Sequence, residues 1–156
     1  MRLQLLAAAA AAALPVHGAV VPGRTLGGVR LGDPPARVRA VWGSGFGVCR
    51  GCPRRTWYYN YARFLPQGAA VEFQRGRVVA TYTLWRPSGW RTPEGLRLGD
   101  SVARITSVYG PLKRRDCRGY YALLLPRGPA VTQFYVFGSE LWGFGLSRAS
   151  VPACRS

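Results

Sequence analysis

Six stretches of this chain are rich in aromatic, β-branched and other apolar residues at strand length: 57–61, 70–74, 78–85, 120–125, 130–137 and 141–146. Turn residues separate them. Pro66-Gln67-Gly68 and Pro126-Arg127-Gly128 supply a proline and a glycine each, and Arg75-Gly76-Arg77 and Gly138 supply tight reversals. Two shorter stretches follow a helical period instead. Val38, Val41 and Trp42 share one face of the first, and Val102, Ile105, Val108 and Tyr109 one face of the second. Asp33 is placed to cap the first helix, with Pro34 at its first position, and Asp100 to cap the second. Gly43 and Gly110-Pro111 stop them. At about nine residues, each helix depends on packing to persist.

The order of these signals recurs. Residues 28–43 and 95–110 are identical at nine of sixteen positions, with Val29/Leu96, Val38/Ile105 and Trp42/Tyr109 conservative. Repetition at a fixed spacing is the mark of a repeated structural unit. The expected fold is α+β: two tandem repeats, 24–86 and 95–156, each a short helix followed by an antiparallel sheet of three to four strands. Helices lie on one face, and 87–94 is a linker. A unit of about 65 residues is marginal alone, so the two are expected to share one surface.

The faces follow from aligning the copies. Ala80, Tyr82 and Leu84 align with Trp142, Phe144 and Leu146, apolar in both, and are expected to meet the helices. Thr81, Thr83 and Trp85 then lie on an open face. Trp57, Tyr59, Tyr61 and Arg63 share one side of their own strand and join that face in one of two registers. Aromatic residues beside arginine are common at binding surfaces, so these seven residues are the candidate site.

Met1-Arg2, an apolar run over 3–14 and small residues at 18–19 have the layout of a secretory signal peptide over 1–19, with a mature start between Ala19 and Val21. The apolar run falls short of the ~20 residues of a membrane span, and no cysteine follows it to carry a lipid. A secreted, extracytoplasmic location is expected. Four cysteines suit that oxidising compartment. Cys49 and Cys117 occupy near-equivalent positions in the two copies, so each is expected to pair locally: Cys49 with Cys52, and Cys117 with Cys154. Cys49-Arg50-Gly51-Cys52 also has redox spacing, but glycines precede it and a strand follows it, which suits a stapled loop. The one histidine, His17, lies within the leader, so no metal site and no cofactor are expected.

The residue pattern Gly28, Leu31, Gly32, Val38, Gly43, repeated as Gly95, Leu98, Gly99, Ile105, Gly110 and followed by antiparallel strands, resembles the BamE/SmpA domain. In tandem it resembles the β-lactamase inhibitory protein architecture. That resemblance implies helices on one side of a sheet whose other side binds protein. BamE-type proteins carry a lipidated cysteine that this chain lacks, and no segment matches the inhibitor's enzyme-contacting loops, so neither β-lactamase inhibition nor any functional residue is carried over.

Net charge is +16, with 22 basic residues against 6 acidic. The densest clusters are Arg54-Arg55 and Lys113-Arg114-Arg115 with Arg118, candidates for binding anions. No specific nucleic-acid motif accompanies them. The acids show no paired-carboxylate spacing, and neither a nucleophile elbow nor a phosphate loop is present, which argues against an enzyme. The expectation is a non-enzymatic module whose open sheet face binds another extracytoplasmic protein. The alternatives are an arginine-driven binder of anionic envelope or cell-wall polymer and, less favoured, a thiol-disulfide protein.

Overall fold

A computed structural model describes residues 14–59 and 67–155. The chain runs β1 (His17–Val21), β2 (Thr25–Leu26), β3 (Val29–Arg30), α1 (Pro35–Trp42), β4 (Gly47–Val48), β5 (Arg55–Tyr59), β6 (Gly68–Gln74) and β7 (Arg77–Leu84). It continues with β8 (Gly89–Arg91), α2 (Val102–Tyr109), β9 (Lys113–Asp116), β10 (Tyr121–Arg127), β11 (Ala130–Phe137) and β12 (Glu140–Arg148). Tyr61 and Arg63 lie outside the described residues.

The α+β expectation of two helix-plus-sheet repeats is overturned. Among the described residues strand accounts for 47% and helix for 12%, so the described fold is mostly β. Two physical reasons account for this. Each helix is only eight residues long, and β1–β3 and β8 lie where the sequence suggested leader, coil and linker. The large sheet is also continuous. Its order is β4-β5-β6-β7-β12-β11-β10-β9, joined through β7 and β12 by Gly145↔Tyr82 and Leu146↔Thr81. A second sheet, β3-β2-β1-β8, packs with the helices on one side of it.

That side holds the main core: Val38 and Trp42 of α1, Ile105 of α2, Val71 and Phe73 of β6, and Phe134 and Phe144 of β11 and β12. Residues 87–94, expected as a linker, carry β8 and its wholly buried Trp90. The Trp90 ring lies 5.7 Å from that of Trp42, and its Nε1 donates to the Pro15 carbonyl at 2.7 Å. Gly27, at φ +56, passes so close that a Cβ there would meet the Trp90 ring at 2.1 Å. β1 pairs with β8 through His17, Gly18 and Ala19, so a chain starting between Ala19 and Val21 would keep at most the last of these pairs.

The helix starts are shifted by one residue. Pro34 and Ser101, rather than Asp33 and Asp100, are the caps, and Ser101 accepts from the Arg104 N–H. Each aspartate instead closes the turn before its helix: Asp33 accepts from the Arg30 N–H and Asp100 from the Arg97 N–H, both at 2.9 Å. The neighbouring backbone bonds also recur, Gly32 N–H to Val78 O and Gly99 N–H to Leu141 O, each 2.8 Å. Each aspartate turn is thereby tied to the far strand of its own hairpin.

Candidate functional site

The sheet face away from the helices is where the strands leave side chains for other purposes. Register assigns it. Thr81 stands opposite Val71 and Thr83 opposite Ala69, so both threonines face the helices with the core. They are 0% and 1% exposed. Trp57 and Tyr59, opposite Val71 and Ala69 across β5–β6, are buried there as well. Expecting an open face at Thr81 and Thr83, joined by Trp57 and Tyr59, is therefore corrected: these four belong to the helix side. Thr83 Oγ1 accepts from the Phe144 N–H at 3.1 Å. Burial pushes the Tyr59 phenol up to about 12, against the opposing field of Arg39, and its hydroxyl donates to the Gly43 carbonyl.

Among the described residues of the candidate set Trp85 alone is exposed, at 51%. It stands at the end of β7 with φ +64, left-handed backbone that a bulky side chain rarely adopts. This conformation turns its indole toward the outer face. The ring meets Trp142 edge-on at 6.2 Å and Phe137 at 6.3 Å, and Phe137 is also 51% exposed. Trp142 in turn lies 5.6 Å from Phe137 and 5.3 Å from Tyr120. Behind them Leu84, Ala122 and Tyr135 form a small buried cluster on the outer face. The aromatic patch is thus built from β7, β11 and β12, with a packed floor.

The rest of the outer face is crossed by the C-terminal segment. Val151 is buried on Val79 and Ala80, which explains why Ala80 is apolar without touching a helix. The Arg155 side chain donates to Glu72 Oε1 at 2.9 Å and to the Tyr135 hydroxyl at 3.0 Å, and stacks 4.9 Å from the Tyr82 ring. Burial works to lower the Arg155 pKa, but Tyr135 and Glu72 outweigh it and raise it, holding the guanidinium charged. Burial also pushes the Tyr135 phenol up to about 12, with Arg155 opposing. Cys117–Cys154 anchors the segment beside these contacts, and Cys49–Cys52 closes the other predicted loop, both as the spacing of the copies implied. Such bridges belong to oxidising compartments.

The basic clusters lie on opposite edges of the large sheet, β4–β5 against β9, roughly 30 Å apart at ~4.8 Å per strand. Arg54 is committed to Glu72 at 2.5 Å, and Arg114 to Asp116 at 2.7 Å and to the face of Tyr121. Arg55 stacks 5.3 Å from Trp57, with Arg39 of α1 4.7 Å from the same ring. Lys113, Arg115 and Arg118 are exposed. The role of Arg155 was missed in the sequence, where it is one arginine among many in a short tail. Among the described residues no helix is long and apolar enough to cross a membrane.

No protein-family model matches the chain, and no curated protein matches it. Solved structures do. It is similar to an extracellular protein containing an SCP domain from Bacillus anthracis, at 16% identity and a TM-score of 0.57, over 76% of this chain and 44% of that one. It is similar to a DUF4309 family protein (YjgB) from Bacillus subtilis, at 11% identity and 0.54, over 74% and 78%. It is also similar to the uncharacterized protein yfeY from Escherichia coli, at 11% and 0.53, over 85% and 99%. The chain spans less than half the length of the first. At these identities the likeness is one of fold, and it places this chain among proteins built on the same β architecture.

Proposed function

We propose that this chain is a secreted, non-enzymatic binding module that docks another extracytoplasmic protein on the Trp85–Phe137–Trp142 patch. The observation that carries this reading is Trp85. A tryptophan in left-handed backbone costs about 1–2 kcal/mol, and half of its surface is left in water. Folding alone gains little from such an arrangement, and strain of this kind clusters where binding uses it. The rings beside it give a contiguous, prearranged aromatic surface of the type that anchors interfaces.

A second reading, an anionic envelope polymer held by arginine, draws support from Arg39 and Arg55. Neither forms an ion pair among the described residues, and both stack on Trp57. Salt separates the two. The immobilised protein is incubated with envelope extract at about 50 and about 500 mM salt, since charge-driven binding is screened across that range. Capture that persists at high salt and is lost in Phe137→Ser supports the patch. Capture that vanishes at high salt and survives Phe137→Ser supports the polymer and refutes the patch.

A further inference from the structure

The first strand is held at its two ends by different neighbours. Val20 and Val21 pair with β2, opposite Leu26 and Thr25. His17, Gly18 and Ala19 pair in parallel with β8, opposite Gly89, Trp90 and Arg91. The start expected for the mature chain, between Ala19 and Val21, falls at the junction of these halves. Leader removal there leaves the β2-paired half in place and takes away the strand that lies on β8.

The departing segment is closely fitted. Leu14 is 6% exposed and belongs to the main core. The Pro15 carbonyl accepts from Trp90 Nε1 at 2.7 Å. Gly18 lies against the same indole, and a Cβ there would meet Nε1 at 2.9 Å. Gly89 lets the backbone of Val16 approach β8, since a Cβ on it would meet the Val16 carbonyl. Val16 and His17 are exposed. β8 has other supports of its own. Trp90 packs on Trp42, Arg91 bridges to Arg97, and the Thr92 N–H bonds Leu96 O at 3.0 Å. The processed chain therefore keeps β8 with an uncovered edge, an indole N–H without its acceptor and an apolar hollow where Leu14 sat. Open strand edges and unpaired polar groups are both features that association removes.

We infer that this vacated slot accepts an extended segment of another extracytoplasmic protein, running parallel to β8. Strand addition to a free sheet edge is a recurrent mode of recognition, in which backbone bonds give affinity and pockets for single side chains give specificity. The departing residues define what fits: an apolar side chain in the Leu14 hollow, the next residue's carbonyl on Trp90 Nε1, and glycine at the Gly18 position. The two positions between point to water. The first of them, Val16, lines a shallow pocket with Arg86. Arg86 is exposed and forms no ion pair among the described residues, so an acidic side chain at the Val16 position meets a free guanidinium. A second processed copy has lost this segment and cannot donate it. The inference rests on leader cleavage at the stated junction and is independent of the aromatic patch.

The test uses the protein recovered from the extracytoplasmic fraction, its N-terminus read by mass spectrometry. The probe is the capped peptide with the sequence of residues 14–19, followed through the Trp90 indole N–H by nitrogen-15 NMR. It should shift that resonance saturably, with a Kd of about 0.1 mM or tighter. Leu14→Asp or Gly18→Val in the peptide, or reversal of its sequence, should each weaken binding at least about tenfold. Val16→Glu in the peptide should tighten binding about threefold at low salt, and Arg86→Gln in the protein should remove that gain. Phe137→Ser should leave peptide binding unchanged, which separates the slot from the patch. A mature N-terminus at or before Gly18 would overturn the inference, because the slot would then be filled in the secreted protein. So would a Trp90 indole unmoved at millimolar peptide, or equal binding of the forward and reversed sequences. Equal affinity of the parent and Val16→Glu peptides would overturn the acidic preference.

Discussion

Arg155 and Glu72 are joined by a 2.9 Å ion pair across 83 residues of chain, with Arg54 on the other oxygen of the same carboxylate. The Arg155 and Glu72 side chains are 5% and 9% exposed. Two cations therefore rely on one carboxylate at the centre of the outer face. Removing one partner of a buried pair costs roughly 3–5 kcal/mol, because the other charge is left unpaired. Glu72→Gln should lower stability by about that amount in urea denaturation. Arg30→Gln, exposed and free of ion pairs among the described residues, should change it by less than about 0.5 kcal/mol.

Trp85 and Phe144 should respond to truncation in opposite ways. Trp85→Gly relieves the left-handed backbone at φ +64 and removes a ring that is half in water. Its melting temperature should match or exceed that of the parent. Phe144 is fully buried, so Phe144→Ala should cost roughly 3–5 kcal/mol. Calorimetry of the two variants checks this, and a strongly destabilised Trp85→Gly would mean the indole is structural.

The two disulfides should differ in worth. Cys117 and Cys154 are 37 residues apart and Cys49 and Cys52 three apart. In the chain-entropy model the first stabilises by about 4 kcal/mol and the second by about 2. Paired serine variants measured in urea should keep that order. Only loss of Cys117–Cys154 should increase amide exchange around Ala153 and Arg155, which that bridge holds against Tyr135 and Tyr120.

Stability should fall in alkali before ordinary base hydrolysis intervenes. The phenols of Tyr59, Tyr109 and Tyr135 are pushed up to about 12 from 10.0, mainly by burial. The folded protein then holds protons that the unfolded chain has released. Their contribution is complete below pH 10 and is lost as pH rises through 12. Tyrosinate absorbance should accordingly rise in step with loss of structure over that window, and three independent titrations at 10 in a folded protein would contradict it.

Much of the strand layout was legible because alternation and turn residues are local signals. The cysteine pairing was legible because the two copies separate Cys49 from Cys117. The faces were not, for a reason that concerns one residue. Val78 N–H bonds Asp33 O and Leu141 N–H bonds Asp100 O, so Val78 corresponds to Leu141. Bulges then place Val79 and Trp142 as the extra residues of their hairpins. Tyr82 therefore corresponds to Gly145, and Thr81 to Phe144. The sequence alignment set Tyr82 against Phe144, and a slip of one residue turns every side chain to the opposite face. Two covered faces compounded the error. Ala80 is apolar because Val151 lies on it, and nothing local announces that a distant tail will return. Trp90 was hidden in the same way, since Pro87-Ser88-Gly89 reads as a linker whether or not a buried strand follows.

The proposed binding surface is tested most directly by fluorine NMR of the protein labelled with fluorotryptophan. The five tryptophans give five resonances, assigned by single substitutions. Envelope protein captured at high salt is added back to the labelled chain. The account predicts that the Trp85 and Trp142 resonances shift and broaden while those of the fully buried Trp42, Trp57 and Trp90 hold still. Movement confined to Trp57, beside Arg39 and Arg55, or an unchanged Trp85 at saturation, would contradict it.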